Sequence, residues 1–425
     1  MPPDPKVPPF KNNPQADYAP PPLPSASNCQ SSPARQLLAI LLSLCLGLFL
    51  ADAIVSLTDD SLILFFNLHV LAVIRAMVCL LAMLMAIVVY GLMGLTPLIP
   101  KRWFLPVTLF YPASQLVIIP FFIFSYGRIQ QVAWGFSCAQ VILGLSILYW
   151  IQGGFKFRWL LVAKDQLAGR RFSWRNLSAF ALMNIFVLVP AVMVYLVLCA
   201  AAAVDHFSDG FMALRPGGLT VQARKYVRND GKTIQLFPMS HVAEADFYQK
   251  ISQTFPTNSI ILMEGVTDEK NLLTNKISYK RMASSLGLAE QHEQFAPTRG
   301  EMVRADVDVG QFSKNTIDLL NLVMLVHAQG VNAENLRMLL QFSPPPDFEN
   351  QLFDDLLRKR NQHLFKEIHA WLPQSDNVMV PWGVAHMPGI AGEIQKSGFR
   401  LSECRDYEVI RFHFLGNEGA YGKPK

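Results

Sequence analysis

The stretch "NVMVPWGVAHMPGIAGEIQKSGF", Asn377 to Phe399, decides how the carboxyl-terminal half of the chain is read. Its apolar run, with Val378, Val380 and Trp382 at alternate positions, reads as a buried strand. The run breaks at Gly383, presents His386, and reaches Pro388-Gly389, where a proline in the first helical turn opens a helix. Strand, turn and helix in that order are the repeating unit of a layered α/β fold. In open parallel sheets, sites form where strands end and helices begin. Gly383 is expected to let the backbone turn tightly enough for His386 to face that rim.

The same alternation extends backwards from this stretch. "LTVQARKYVRNDGKTIQLFPMSH", Leu219 to His241, is a hairpin whose Asn229-Asp230-Gly231 turn joins two alternating strands. "EADFYQKISQTF" reads as an amphipathic helix, "NSIILMEGV" as a short strand, "YKRMASSLGLAEQ" as helical and "MVRADVDV" as a strand. Helices are expected over 313–327 and 349–371. "FRLSEC" and "YEVIRFHFL" are expected as a closing pair of strands. Residues 205–425 are therefore an α/β domain with a central mixed, largely parallel sheet.

The amino-terminal half obeys different rules. Of the 425 residues 51% are hydrophobic and only 16% charged, and the mean hydropathy is +0.25, too apolar for a soluble chain of this length. The apolar runs lie before residue 205 and match the thickness of a bilayer. They predict an α-helical transmembrane region of about five spans over 36–204, at 36–57, 70–97, 104–126, 131–152 and 177–204. Residues 1–35 form a proline-rich tail without hydrophobic periodicity, expected to be disordered and unlike a signal peptide.

Charge placement orients the spans. Lys6, Lys11 and Arg35 precede the first, Lys101 and Arg102 join the second and third, and Lys156 to Arg175 supply a basic run between the fourth and fifth. The alternate loops hold Asp59 and Asp60 and a lone Arg128. By the positive-inside rule the amino terminus is cytoplasmic and the α/β domain lies outside, in the periplasm if the cell is Gram-negative. From Asp205 onward 24 Lys and Arg face 26 Asp and Glu, so the net charge of +5 belongs to topology, and no nucleic-acid surface is indicated. The lipid bilayer is the partner that composition implies. Asp52, His69 and Arg75 are the chief ionisable residues of the spans. Snorkelling accounts for the last two, so the spans read as an anchor. Cys404 stands alone in the outer domain, which excludes an internal disulfide or a Cys-x-x-Cys metal site there.

Four strand ends carry polar side chains: His241, Glu264, Asp306 with Asp308, and His386. Each alone reads as a buried hydrogen-bonded group or a cap. Their repetition at equivalent positions places imidazole and carboxylate on one rim, a set able to bind a divalent metal or to run acid–base chemistry. "HEQFA", 292–296, begins like a zincin but lacks the second histidine, so His292 and Glu293 are read as solvated surface.

"PMSHVAEADFYQKI", "LMEGVTD" and "WGVAHMPGIAGEI" together resemble the TraB/PrgY/GumN family, which is grouped with Tiki proteases, erythromycin esterases and ChaN-like proteins. The resemblance covers about Leu219 to Phe414 and not the spans. Its most specific part is Gly383, His386, Pro388, Gly389 and Ile390. Pro238 stands where the first family motif has glycine, and Lys359 replaces an acidic residue in the family's Glu-Arg-Asn helix. The resemblance implies an erythromycin-esterase/ChaN-like fold and hydrolysis at a His/Glu/Arg site, with Glu264 after the second strand and Arg281, Arg360 and Asn361 on helices. On that basis His241, Glu264 and His386 would hold Mn²⁺, Co²⁺ or Zn²⁺, whose bound water attacks a peptide or ester carbonyl. Arg281 or Arg360 would stabilise the oxyanion or bind a substrate carboxylate, and Asn361 would orient a ligand. The partner is then an extracytoplasmic peptide or small-molecule substrate. A non-catalytic protein sequestering a peptide, lipid or haem in the same pocket is the alternative.

Overall fold

The computed structural model describes residues 33–412 apart from 155–157, 159, 168–169, 275–278, 331, 343–344 and 346, and side chains there apart from those of 281, 336 and 340. Nearly all of the proline-rich tail, Lys156 of the basic run and the side chain of Arg281 therefore lie outside the described residues. The chain divides into two compact units, Met1–Leu116 with Gln130–Met183, and Val117–Ile129 with Asn184–Lys425.

Among the described residues, five helices are long and apolar enough to cross a membrane: Pro33–Phe66, Ala72–Leu95, Lys101–Phe124, Tyr126–Gln152 and Trp174–Phe207. Number and order follow the hydropathy reading, and the chain is a membrane protein by that measure. The first helix, however, runs past its expected end at 57, so Asp59 and Asp60 lie within it and are buried. Nor does Arg75 snorkel: its guanidinium lies 3.1 Å from Asp59 and 2.6 Å from Asp60. A hydropathy window scores each residue alone and cannot register charges that neutralise one another across two helices. Where the first and fourth helices meet, a Cβ on Gly144 would come within 2.5 Å of the Leu50 side chain, the close approach that small residues permit between spans.

Among the described residues the second unit holds nine strands: β1 Met212–Arg215, β2 Gly218–Val227, β3 Thr233–Met239, β4 Val242–Ala243, β5 Ser259–Met263, β6 Ala289–Glu290, β7 Glu301–Arg304, β8 Asn377–Gly383 and β9 Arg400–Arg411. Seven form one mixed sheet in the order β1-β2-β3-β8-β5-β7, with β9 against β2, while β4 and β6 pair separately. β3, β8, β5 and β7 are parallel neighbours, and β1, β2 and β9 join antiparallel. β8, the strand of the opening stretch, is inserted between β3 and β5. That insertion brings the ends of strands distant in sequence to one rim, with Met239 opposite Gly383 and Met263 opposite Arg304.

Period-two alternation fills both faces. Val378, Val380 and Trp382 of β8 join Ile234 and Leu236 of β3 in a core covered by Leu364 and Ile368 of the helix Lys359–Trp371 and by Ile390 and Ile394 of the helix Met387–Lys396. Met379, Phe237 and Met239 point the other way, onto Phe247, Tyr248 and Ile251 of the helix Ala245–Gln253. Each fully buried leucine or isoleucine contributes about 1.5–3 kcal/mol relative to exposure.

The expected hairpin is β2–β3, turned at Gly231 with φ +85°. The expected closing strand pair is instead the single strand β9. It follows β2 along its length, with Arg405 and Asp406, which read as a break, in regular register opposite Ala223 and Gln222, and with two register shifts elsewhere, at Leu219/Thr220 and Lys225/Tyr226. The four-residue β1 and the helix Ala333–Gln341 were not anticipated. The helix had a local signal, since Asn332 caps it by accepting the Asn335 N–H.

Candidate functional site

The rim chemistry begins one to three residues beyond the parallel strands. Glu264 follows β5, Asp306 follows β7, and His386 closes the short 3₁₀ turn Val384–His386 after β8. The helix Lys359–Trp371 lays Arg360 and Asn361 across these ends in its first turn. Glu264, Asp306 and His386 meet at the Arg360 guanidinium. Its Nε and one terminal nitrogen hold Asp306 at 3.0 and 2.6 Å, and that nitrogen also reaches Glu264 Oε1 at 2.8 Å. The other terminal nitrogen donates to His386 Nε2 at 3.1 Å and to the Leu356 carbonyl at 3.4 Å. All five N–H bonds of the fork are thus engaged. Beneath lies Trp382, fully buried, its ring edge-on to His386 at 5.1 Å and its indole N–H on the Leu262 carbonyl.

His386 is fixed from both sides. Nδ1 donates to Asn361 Oδ1 at 2.7 Å, which leaves Nε2 as acceptor from Arg360 and makes the ring neutral in this arrangement. Burial, and after it the Arg360 charge, push its pKa down to about 4, against the smaller opposing pull of Glu264 and Asp306. The unfolded chain therefore takes up a proton near 6.5 that the folded chain refuses. Stability is full above about 6.5 and falls by roughly 3 kcal/mol as pH drops toward 4. The thermal midpoint of the whole chain in detergent should show that slope, and His386→Gln should abolish it; an unchanged slope would show that another group titrates.

Two glycines of the motif owe their place to space. Gly383 has φ −54°, open to any residue, so the expected glycine-only turn is corrected. Its N–H donates to Glu264 Oε2, and a Cβ would lie 3.3 Å from that same oxygen. At Gly389 a Cβ would lie 2.6 Å from Asn361 Nδ2. Pro388 lies in the first turn of that helix, where its missing N–H costs nothing. Gly389→Ala should destabilise by about 1–3 kcal/mol by displacing Asn361 from His386. Gly392→Ala, three residues on with nothing within 4 Å of its Cβ, should stabilise by a few tenths up to about 1 kcal/mol. Opposite signs in thermal melts of the two variants are the expected result, and equal shifts would sink this account of Gly389.

Other sequence candidates are placed differently. Asp308 caps a turn, accepting the Glu269 and Gly310 N–H groups, which hold its carboxyl below the usual range. Lys359 pairs with buried Asp355 at 2.6 Å. Burial opposes ionisation of Asp355, but the Lys359 ammonium and the Thr316 and Ser313 donors outweigh it and lower its pKa. Pro238 faces Trp382 in the β3–β8 ladder, and β2 releases β3 after Leu236, so no ladder bond to β2 is lost there. His241 is exposed and stacks on Tyr279 at 5.0 Å and 6°.

His241, Glu264 and Arg360 line one cavity of about 550 Å³, together with Tyr279, Glu290 and His292 and with apolar walls from Phe295, Phe312, Leu320, Met324 and Leu356. His386 does not line it. A larger hollow of about 730 Å³ lies along β2 and β9, lined by Arg215, Lys250, Arg405 and Asp406, and contains none of the rim residues.

Sequence reasoning thus found Glu264, Arg360, Asn361 and His386. It named Asp306 only as a strand end and missed Trp382, Tyr279 and Glu290. Glu290 is 3% exposed, and one of its oxygens accepts the Tyr279 N–H at 2.8 Å. Among the described residues, Glu290, His292 and Glu293 are the group whose ligand atoms lie within 4.8 Å of one another, although Glu293 also pairs with Lys280. His241, Glu264 and His386 do not form such a group. Glu264 Oε1 and His386 Nε2 are 3.6 Å apart, yet both are bonded to Arg360, so a cationic guanidinium stands where an ion would bind them. The rim set does not fit a metal in this arrangement. Comparison with family models, curated proteins and solved structures gives no match to this chain.

Proposed function

We propose that the chain is a membrane-anchored hydrolase of the TraB/GumN/Tiki type, with an α/β domain of erythromycin-esterase/ChaN-like fold that cleaves a peptide or ester. The positive-inside arrangement of its loops supports a site on the extracytoplasmic side. Glu264 carries the reading. It is a carboxylate at the ends of parallel strands, anchored through one oxygen by Arg360 and through the other by Gly383, and it still faces the cavity. A carboxylate held this way accepts the proton of an attacking water. His241, on the wall of the same cavity, delivers a proton to the leaving group. Arg360, Asp306, His386 and Asn361 act on substrate only through Glu264, by fixing where it points.

Full-length protein in detergent, given panels of peptides and nitrophenyl esters, should show turnover that survives chelator. Turnover restored only by Mn²⁺, Co²⁺ or Zn²⁺ would return the metal-dependent mechanism. Two observations favour a second reading: Arg360 has no N–H left for an oxyanion, and much of the cavity wall is apolar. Retention of peptide, lipid or haem without turnover would establish sequestration instead.

A further inference from the structure

The first span carries Asp52, Ser56 and Asp60 at four-residue spacing, hence on one face, and all three are buried, with Asp59 beside them. Asp60 is satisfied by Arg75 at 2.6 Å, Ser137 Oγ at 2.6 Å and Gln130 Nε2 at 3.3 Å. Asp59 meets Arg75 through one oxygen at 3.1 Å. Asp52 receives Tyr111 O–H at 3.0 Å and Gln140 Nε2 at 2.8 Å, both on the same oxygen. The second oxygens of Asp52 and Asp59 are buried and have no hydrogen-bond partner among the described residues.

Charge counting sharpens this. Three carboxylates are buried on this helix, and among the described residues the guanidinium of Arg75 pairs with two of them, Asp59 and Asp60. Asp52 lies about 12 Å from Asp60 along the helix, at 1.5 Å per residue. Among the described residues, the titratable groups near Asp52 on packed neighbours are Tyr111 of the third helix and Cys79 of the second, and neither is a cation. An uncompensated carboxylate inside an apolar bundle costs several kcal/mol, so one that persists there is accompanied by a positive charge.

We propose that Asp52 is the binding position of a small monovalent cation, a proton or an alkali-metal ion, inside the membrane unit. Tyr111 and Gln140 hold one carboxylate oxygen and leave the other, 1% exposed as a residue and without a donor, aimed at the ion. Asp59, Asp60 and Arg75 are a second station two turns along the same helix, already paired. The bundle is then an ion-binding device as well as a tether, whatever the α/β domain hydrolyses.

The test uses the full chain in nanodiscs of zwitterionic lipid. Infrared difference spectra across a pH titration read a proton on a buried carboxyl, and thermal melts in sodium, potassium or choline chloride read an alkali ion. A protonated-carboxyl band identifies the proton, and a midpoint raised by several degrees in sodium or potassium over choline identifies the metal ion. Either signal should vanish in Asp52→Asn, and in Gln140→Leu, which removes one donor to the partnered oxygen, the proton or salt concentration at half-effect should shift about tenfold. Should Asp52→Asn fail to fold, Gln140→Leu carries the test. Absence of both signals in the unmodified chain overturns the proposal, as does a signal that neither substitution changes.

Discussion

Arg360→Met should lower the stability of the chain by about 3–5 kcal/mol, the cost of breaking a buried ion pair from one side. The substitution leaves Asp306, whose side chain is wholly inaccessible, without its counter-charge, and it strips the donor from His386 Nε2 and one donor from Glu264. Two N–H groups remain on Asp306, from Gly265 and Val307, and they do not compensate a full charge. Arg360→Lys should recover less than half of the loss. A lysine presents one nitrogen where the guanidinium bridges two carboxylates and an imidazole in a fixed plane. Asp306→Asn in the Arg360→Met background should restore part of the stability, because the two residues are coupled. Melting curves of the four proteins check this, and a midpoint for Arg360→Met within a degree of the parent would show that the cluster is not a stabilising unit.

Glu264→Gln should reduce turnover of whichever peptide or ester proves to be a substrate by about 10²–10⁴-fold, the span associated with a lost general base. Glutamine has the same shape and still offers an oxygen to Gly383 or Arg360, so the melting temperature should move far less than in Arg360→Met. His241→Gln separates the roles. It removes an exposed group whose side chain, among the described residues, only stacks on Tyr279, so the fold should be untouched while turnover falls. Full activity in Glu264→Gln would remove the carboxylate from the chemistry and leave the cavity as a binding site.

How much of this was legible in the sequence depends on where the signal resides. β8 and the helix after it were readable because alternation at Val378, Val380 and Trp382, the break at Gly383 and the proline at 388 are all local. Glu264 and His386 were readable as strand ends expected on one rim, yet the arrangement that joins them through Arg360 was not. It depends on β8 inserting between β3 and β5, which no local pattern encodes. The engagement of every Arg360 N–H was likewise invisible, since a guanidinium in a helix gives the same letter whether it faces solvent or three acceptors. The burial of Asp59 and Asp60 failed for the mirror reason: acidic letters beside an apolar run read as a loop until their partner on the next helix is known.

β9 has a bearing on how this protein survives its own synthesis. Among the described residues its only strand partner is β2, and on its other edge the Val409 carbonyl takes the Glu244 N–H and the Arg411 N–H meets the Glu244 carboxylate, while the stretch before them has no strand beside it. An open edge of that kind invites a neighbouring molecule to add a strand and begin a fibril. The side chains along it are Arg400, Glu403, Arg405, Asp406, Glu408 and Arg411, most of them exposed. A second copy laid antiparallel against them would have to desolvate charge at nearly every step, and so the sheet stops growing at its own border.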